Sequence, residues 1–241
     1  MGGVSLEMIS SDHADSTVIT IDGPAGAGKS TIARLLAGRI GFQYLDTGAI
    51  YRTIAYCLSR NSVPPVENDF LCSSLACCRI GLEKGKIILD GKDVSDQIRS
   101  QKIDRIVSSY AALPMIRRFL IGIQREQAAM SDIVADGRDM GSVVFPEAAL
   151  KIYLDADVSV RAERRMLELS ARGETPEIGE ILENIRERDR KDREREVSPL
   201  MVPEGAHIID TTGFDVDEVV TRIMALVSPV IGGSGRPERS G

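Results

Sequence analysis

Residues 18–31, VITIDGPAGAGKST, combine the residue types needed to hold a chain of phosphate groups. Gly23–Ser30 match the pattern G-x-x-x-x-G-K-[ST], which is typical of a loop between a β-strand and a helix. Its glycines let successive N–H groups point at one anion, and the following helix N-terminus adds a partial positive charge. The segment therefore predicts a nucleoside triphosphate site; an ordinary glycine-rich turn is the alternative.

Each residue of this segment has an expected role. Lys29 has the length and charge to reach the outer phosphates, and it is also a catalytic candidate. Two hydroxyls follow it, those of Ser30 and Thr31, and the sequence leaves open which one approaches a Mg²⁺ ion. The residues predicted to contact the triphosphate are Gly23, Pro24, Ala25, Gly26, Ala27, Gly28, Lys29, Ser30 and Thr31.

A second polar group, DGRDMG at 136–141, directly follows the apolar residues 133–135. An aspartate at the end of such a strand can hold Mg²⁺, so Asp136 and Ser30 form the predicted metal site. Arg138 offers a guanidinium fork for a phosphate, and Asp139 can accept a hydrogen bond from an amino or hydroxyl group. A tight surface loop with an ion pair is the alternative.

The run RERDRKDRERE at 186–196 alternates in charge, which is typical of a solvent-exposed helix. Its helical spacing, however, places some of these charges on the same face as apolar residues. The positions that share one helical face are Ile181, Ile185, Arg188, Asp192 and Arg195. Because the apolar stripe continues as Arg-Asp-Arg, we predict that these three charged side chains face a cleft; an exposed charge ladder is the alternative.

Arginines follow the apolar segment 150–154, at Arg161, Arg164, Arg165 and Arg172. In a phosphoryl-transfer enzyme, arginines at this place can close over a nucleotide and stabilise charge on the transferred group. A surface helix laced by ion pairs is the alternative. Arg52 and Arg117 could bind the phosphate of an acceptor, although neither is strong evidence alone.

These side chains require a scaffold, and the order of apolar segments and helical patterns predicts an α/β fold with a parallel sheet. The predicted strands cover 18–22, 42–46, 133–136, 150–155 and 207–211. The first four end at Asp22, Asp46, Asp136 and Asp155, which should gather at one edge of the sheet. Lys-Gly and Asp-Gly pairs within 80–94 predict an antiparallel hairpin inserted between core strands.

Composition excludes several classes of protein. The chain has 241 residues and a net charge of −6, which argues against broad nucleic-acid binding. No apolar run approaches the roughly 20 residues of a membrane span and no signal segment is recognisable, so we expect a cytoplasmic protein. Its cysteines, Cys57, Cys72, Cys77 and Cys78, lack zinc-ligand spacing and are expected to be small buried thiols in a reducing compartment.

With these residues in hand, the sequence resembles the bacterial cytidylate kinases from about residue 18 to 226. The matching segments are ITIDGPAGAGKST (19–31), LDTGAIYR (45–52), DVSDQIRSQ (93–101), DGRDMGSVVFPEA (136–148), KIYLDA (151–156), RERDRKDRER (186–195) and VSPL (197–200). The first is shared by P-loop enzymes in general, whereas the second and fourth in this order, with a hairpin between them, are much more specific.

The resemblance implies a P-loop NTPase fold with a five-stranded parallel core sheet and helices on both faces. It implies core segments 16–46, 131–156 and 197–230, and a nucleoside monophosphate-binding domain at 47–130 that holds the hairpin at about 80–95. It also implies a lid with its following helix at 157–196, while 1–15 and 231–241 are expected to be disordered.

The resemblance also implies transfer of the γ-phosphoryl group of ATP·Mg²⁺ to CMP or dCMP, with UMP a poorer acceptor. Transfer would be in line and need no general base, and lid closure would exclude water. The chain would act as a monomer, without nucleic acid or membrane as partner.

Roles carried over from the family fall on matching positions. The base would be recognised by Thr47, Ser108, Arg117 and Asp139, and the acceptor phosphate by Arg52 and Arg138. Arg188 and Asp192 would contact the sugar, and Arg195 the phosphates in the closed state. Asp136 would lie at the reaction centre, with Arg164 and Arg165 as catalytic arginines of the lid.

Two rival functions remain at this point. A GTP-dependent switch would need a D-x-x-G motif, which 210–213 match, but this match follows the last predicted strand and no N-K-x-D follows. A kinase for another small acceptor, similar to shikimate kinase, would lack the hairpin insertion and the DGRDMG run.

Overall fold

The computed structural model describes residues 16–83, 85–171 and 173–232. In chain order the strands are β1 (Val18–Asp22), β2 (Gln43–Asp46), β3 (Ile80–Glu83), β4 (Lys86–Leu89), β5 (Lys92–Asp93), β6 (Ile133–Asp136), β7 (Leu150–Asp155) and β8 (His207–Asp210). The α-helices are α1 (Lys29–Ile40), α2 (Thr47–Arg60), α3 (Asp69–Ala76), α4 (Gln101–Ala111), α5 (Pro114–Met130), α6 (Val158–Ala171), α7 (Ile178–Glu194) and α8 (Val216–Gly232).

Five of the strands form one parallel sheet in the order β2-β6-β1-β7-β8, which confirms the predicted α/β fold. β1 lies at the centre, so the glycine-rich segment that follows it emerges in the middle of the carboxyl edge. The register places Asp46 opposite Asp136 and Asp155 opposite Asp210. The strand-end aspartates therefore gather at one edge, where open α/β sheets bind their ligands.

Separate apolar cores cover the two faces of the sheet. On one face α1 and α8 pack against the strands through residues such as Ile21, Leu36 and Val220. On the other face, a larger core continues from the sheet through α2, α4 and α5 to the inserted strands. A third, small core lies between α6 and α7, so these two helices pack on each other as an arm beyond β7.

The predicted hairpin is a three-stranded antiparallel sheet, β3-β4-β5. Asp90 and Gly91 turn the chain between β4 and β5 with φ of 50° and 77°, as a tight Asp-Gly hairpin turn requires. The two-residue strand β5 was not predicted, because nothing in so short a segment alternates.

Two helix starts follow from local chemistry. α2 begins directly after β2, because the Asp46 carboxylate accepts a hydrogen bond from the Ala49 N–H and caps the helix. Pro114 is the first residue of α5, a position where its missing N–H costs no hydrogen bond. Residues 140–144 form a π-helical turn that no sequence pattern indicated.

The cysteine prediction is correct for Cys57 and Cys78 and wrong for Cys72 and Cys77, which are exposed. α3 is only eight residues long and buries Leu71 and Leu75, so Cys72 lies outside its buried face.

The predicted tail also needs correction, since α8 continues to residue 232. The remaining terminal segments predicted to be disordered, 1–15 and 233–241, and Arg172 lie outside the described residues.

In the part of the chain that the structure describes, no single helix has the length and apolar character to cross a bilayer. The helical segments Lys102–Ala111 and Pro114–Met130 have the required length and apolar character only when they are taken together, and the chain bends by 98° between them.

Candidate active site

The loop between β1 and α1, Gly23–Gly28, is called the phosphate loop below. Gly23, Gly26 and Gly28 have φ of 144°, 78° and 86°, a region that other residues rarely adopt. A Cβ on Gly23 would lie 2.0 Å from the Leu154 carbonyl oxygen, so only glycine fits against β7. α1 begins at Lys29 with no acidic residue in its first turn, which leaves its N-terminus free to bind an anion.

Lys29 is almost fully buried beneath this loop, and its Nζ donates to the Pro24 carbonyl oxygen at 2.7 Å. Burial and the neighbouring Arg138 guanidinium hold the pKa of Lys29 well below its usual range. A bound anion at this point would favour the charged ammonium, so the site is electrostatically prepared for a phosphate.

Asp136 lies beside the lysine and is hydrogen-bonded on both carboxylate oxygens. The Ser30 hydroxyl donates to Oδ2 at 2.7 Å, and the Tyr44 hydroxyl donates to Oδ1 at 3.0 Å. Burial and the Asp46 carboxylate raise the pKa of Asp136. Of the two hydroxyls that the sequence left open, it is Ser30 that contacts this carboxylate.

A second group of charges lies across the cleft from the phosphate loop, at the junction of α5 with the turn after β6. Arg117 and Asp139 are each at most 2% exposed and pair at 2.5 Å. Arg117 also donates to the Ala111 carbonyl oxygen at 3.0 Å and lies over the Tyr51 ring at 5.2 Å. Arg195 approaches the other oxygen of Asp139 at 3.8 Å. This pocket therefore holds one carboxylate between two arginines.

Between these two groups lies a set of arginines that are paired with carboxylates. Arg138 donates to Asp192 at 2.9 Å, and Asp104 accepts from Arg52 at 3.2 Å and from Arg165 at 3.3 Å. Such a cluster of guanidinium groups matches the charge and geometry of phosphate oxygens.

The charged face of α7 points into the cleft, on the side that its helical spacing predicted. Arg188, Asp192 and Arg195 all line the wall. Burial and the Arg138 guanidinium lower the pKa of Arg188 to about 10. After the helix, Ser198 turns the chain with φ of 54°, and its carbonyl oxygen accepts from Arg195 Nε. This turn fixes the direction of Arg195.

The arginines of α6 divide between two places. Arg164 and Arg165 line the cleft, although Arg164 is also held by the Thr211 hydroxyl at 2.9 Å and carbonyl at 2.7 Å. Arg161 is buried behind the phosphate loop, where it pairs with Asp189 at 2.6 Å. It is therefore not placed to close over a nucleotide, contrary to the sequence-based expectation.

One continuous cleft of about 1720 Å³ joins all these groups. This exceeds the roughly 300–1,000 Å³ of a pocket for one small molecule, so the cleft has room for two. The predicted residues that line it are Ala25, Gly26, Ala27, Gly28, Lys29, Ser30, Thr31, Thr47, Arg52, Ser108, Arg117, Asp136, Arg138, Asp139, Arg164, Arg165, Arg188, Asp192 and Arg195. Gly23 and Pro24 do not line it; they anchor the loop against β7 and Lys29.

Three residues of the site were missed by sequence reasoning. Tyr44 contacts Asp136, Tyr51 lies under Arg117, and Asp104 joins Arg52 to Arg165. Asp104 is four residues from Ser108 on α4, a spacing that puts both on one helical face and could have drawn attention to it.

A parallel sheet with a glycine-rich phosphate loop between its central strand and α1 defines a P-loop NTPase fold, and the paired pockets of one cleft suit a kinase. Comparison with known proteins makes this specific. The family model described as Cytidylate kinase matches residues 19–229. The chain belongs to the cytidylate kinase family and is an enzyme.

Individual relatives agree with this family assignment. The chain is 43% identical over 211 residues to the cytidylate kinase of Desulfitobacterium hafniense, covering 86% of this chain and 91% of that protein. It is 43% identical over 219 residues to the cytidylate kinase of Stutzerimonas stutzeri, covering 88% and 95%. A solved structure of an uncharacterised protein from Eubacterium ventriosum shares the fold, with a TM-score of 0.50 at 12% identity over 88% of this chain and 99% of that one.

Proposed function

We propose that this enzyme phosphorylates CMP and dCMP to their diphosphates, with ATP·Mg²⁺ as the phosphoryl donor. One observation supports the proposal: residues of the phosphate loop and the group around Asp139 line a single cleft, together with Asp136, Arg138 and Arg188. Two nucleotides bound end to end would bring the terminal phosphate of the donor to the phosphate of the acceptor.

The donor would bind with its triphosphate in the phosphate loop, along the N–H groups of the loop and the side chain of Lys29. Mg²⁺ prefers oxygen ligands and keeps several waters, and Ser30 with Asp136 offers a hydroxyl and a carboxylate 2.7 Å apart on an open cleft. These residues fit the ion. When bound, the ion would offset charge on the phosphates.

The acceptor base would bind at Asp139, with Arg117, Thr47 and Ser108 around it. Cytosine presents an amino donor where uracil presents a carbonyl acceptor, so a buried carboxylate favours cytosine. Arg117 keeps this carboxylate in place through its contacts with Asp139 and Ala111. The site would therefore select CMP over UMP.

The acceptor phosphate would bind to Arg52 and Arg138, and the sugar to Arg188 and Asp192. The ion pairs Arg52–Asp104 and Arg138–Asp192 are only partly buried, so each arginine can turn from a carboxylate to a phosphate. Because the acceptor phosphate is itself a nucleophile, these residues need only position it in line with the donor.

Charge that develops during transfer would be stabilised by Lys29 and by the arginines of the arm, Arg164, Arg165 and Arg195. We propose 157–196 as a lid, 47–130 as the acceptor-binding domain, and 16–46, 131–156 and 197–230 as the core. The separate small core between α6 and α7 supports motion of the arm as a unit. Closure would exclude water and so prevent hydrolysis of ATP.

A coupled assay with ATP·Mg²⁺ and a panel of acceptors tests this function. CMP and dCMP should be phosphorylated with far higher kcat/KM than UMP, AMP or shikimate. A preference for UMP or AMP would contradict the base-recognition role of Asp139. Tight GTP binding without transfer to any acceptor would instead favour a nucleotide-dependent switch.

A further inference from the structure

A buried ion pair from the helical arm holds both sides of one residue of the phosphate loop. The Ala25 N–H donates to Asp189 Oδ1 at 3.2 Å, and the Ala25 carbonyl oxygen accepts from Arg161 Nη1 at 2.9 Å. Arg161 Nη1 also donates to Asp189 Oδ2 at 2.6 Å, and its Nε donates to the Ala156 carbonyl oxygen at 2.9 Å. The pair therefore grips the two peptide groups that flank Ala25.

The pair comes from two different elements and lies behind the loop rather than in the cleft. Arg161 lies in the first turn of α6 and Asp189 in the second half of α7, and each is only 5% exposed. Neither side chain lines the cleft; both line a separate, smaller cavity of about 360 Å³ between α6 and α7. Their buried charges therefore do not contact a donor bound in the cleft.

The loop needs such a restraint because its sequence gives it little stiffness. Gly26 and Gly28 are in a left-handed conformation, and glycine loses more freedom than any other residue when it is fixed. Arg161 also packs closely, since a Cβ on Gly26 would lie 3.1 Å from Arg161 Cβ. Fixing the peptides on both sides of Ala25 sets the direction from which the following N–H groups point into the cleft.

We propose that Arg161 and Asp189 are positioning residues for donor binding, acting through the backbone of Ala25. They make the geometry of the phosphate loop depend on how α6 and α7 pack against it, so the position of the arm is coupled to the donor site. The assignment of the loop to the donor rests on the proposed function, whereas the grip on the loop rests on the contacts alone.

The experiment separates positioning from simple stabilisation of the arm. Asp189→Asn removes the charge pairing with little change in shape. The double variant Arg161→Met with Asp189→Leu removes both charges and keeps apolar volume, which avoids leaving one buried charge without its partner. Glu194→Gln and Arg190→Gln, which alter an exposed pair on the same helix, are the matched controls.

The readouts are the Kd of a fluorescent ATP analogue with Mg²⁺, the Kd of CMP, and the urea unfolding of each variant. Asp189→Asn and the double variant should bind the ATP analogue about 10-fold or more weakly, as expected for loss of charge-assisted hydrogen bonds. CMP binding should be weakened much less than ATP binding, because the pair bonds to the backbone of Ala25 and Ala156 and not to the predicted acceptor residues. The controls should bind both as the unmodified enzyme does.

Two results would overturn the proposal. One is normal ATP binding by the double variant, and the other is an equal loss of affinity for ATP and for CMP. A purely structural role of the pair predicts one of these two results. Affinity is a property of the folded fraction, so partial unfolding does not obscure the comparison. Absence of CMP phosphorylation by the unmodified enzyme would reject the proposed function and leave the ATP measurement as a test of the grip.

Discussion

Asp139 is nearly inaccessible to solvent, yet it carries a charge that Arg117 and Arg195 offset from two sides. A buried carboxylate held between arginines is costly to build and has a fixed direction. That direction suits recognition of an amino group. The same arrangement makes Asp139 the residue at which specificity can be tested most cleanly.

We predict that Asp139→Asn lowers kcat/KM for CMP on the order of 100-fold and reduces the preference for CMP over UMP. The amide keeps the shape of the side chain but can present an N–H to the uracil carbonyl. Steady-state kinetics with both acceptors check this. Asp93→Asn, in the antiparallel insertion, should change neither value. Equal loss of ATP and CMP binding in Asp139→Asn would remove the base-recognition role.

Asp22 shows how the same kind of buried carboxylate serves structure. Burial raises its pKa from 3.8 to about 6, although the Gly141 and Met140 N–H groups donate to it and oppose this rise. The protonated form is favoured in the folded state, so the contribution of Asp22 to stability is full below about pH 3.8. It is lost as the pH rises through about 6.

We therefore predict that the free energy of unfolding depends on pH differently in Asp22→Asn. Between pH 4 and 7 the stability of the unmodified enzyme should fall by roughly 2.4 kcal/mol relative to that variant. Urea unfolding at several pH values measures the free energy of unfolding of both proteins. A pH-independent difference in stability between them does not affect the comparison of their pH profiles. Parallel pH profiles would show that Asp22 does not titrate in this range.

At the scale of elements, the phosphate loop requires glycine for its backbone conformation, whereas α1 is destabilised by glycine. Gly26 has φ of 78° and little room for a Cβ, whereas Gly38 is helical, exposed and has open space around the position of a Cβ. We predict that Gly26→Ala lowers the free energy of unfolding by about 1–2 kcal/mol and weakens ATP binding. Gly38→Ala should raise the free energy of unfolding by up to about 1 kcal/mol.

Urea unfolding and an ATP titration of the two variants check this contrast. If Gly26→Ala bound ATP as well as Gly38→Ala, the loop would not need its left-handed conformation.

The elements themselves were largely predictable, because apolar runs and helical stripes are local in the sequence. What could not be predicted depends on distant contacts. At the π-helical turn 140–144, the Met140 and Gly141 N–H groups donate to Asp22, more than a hundred residues away. Tyr44 reaches Asp136 only because β2 pairs with β6.

The candidate site was predictable to the extent that its residues lie in motifs or on one helical face. Arg188 and Asp192 share a face of α7, Arg195 directly follows the helix, and all three line the cleft. Arg161 belongs to the same helix as Arg164 and Arg165 but points away from the cleft. Spacing alone does not show which face of α6 meets the phosphate loop.

At the scale of the whole molecule, charge is distributed unevenly. The chain carries a net charge of −6, yet basic side chains outnumber acidic ones on the wall of the cleft. Distant parts of the chain supply them, from Lys29 at the start of α1 through α2, α4, α5, the turn after β6 and α6 to the face of α7. This convergence, more than any single residue, supports a cleft that holds two phosphate-bearing ligands.

The most direct test of this account is binding of a bisubstrate analogue in which adenosine and cytidine are joined through five phosphates. We predict one molecule bound per chain, competition with both ATP and CMP, and affinity far above that of either nucleotide, because one ligand occupies both pockets. Competition with ATP or CMP alone, or affinity no higher than that of ATP, would show that the two pockets do not lie end to end.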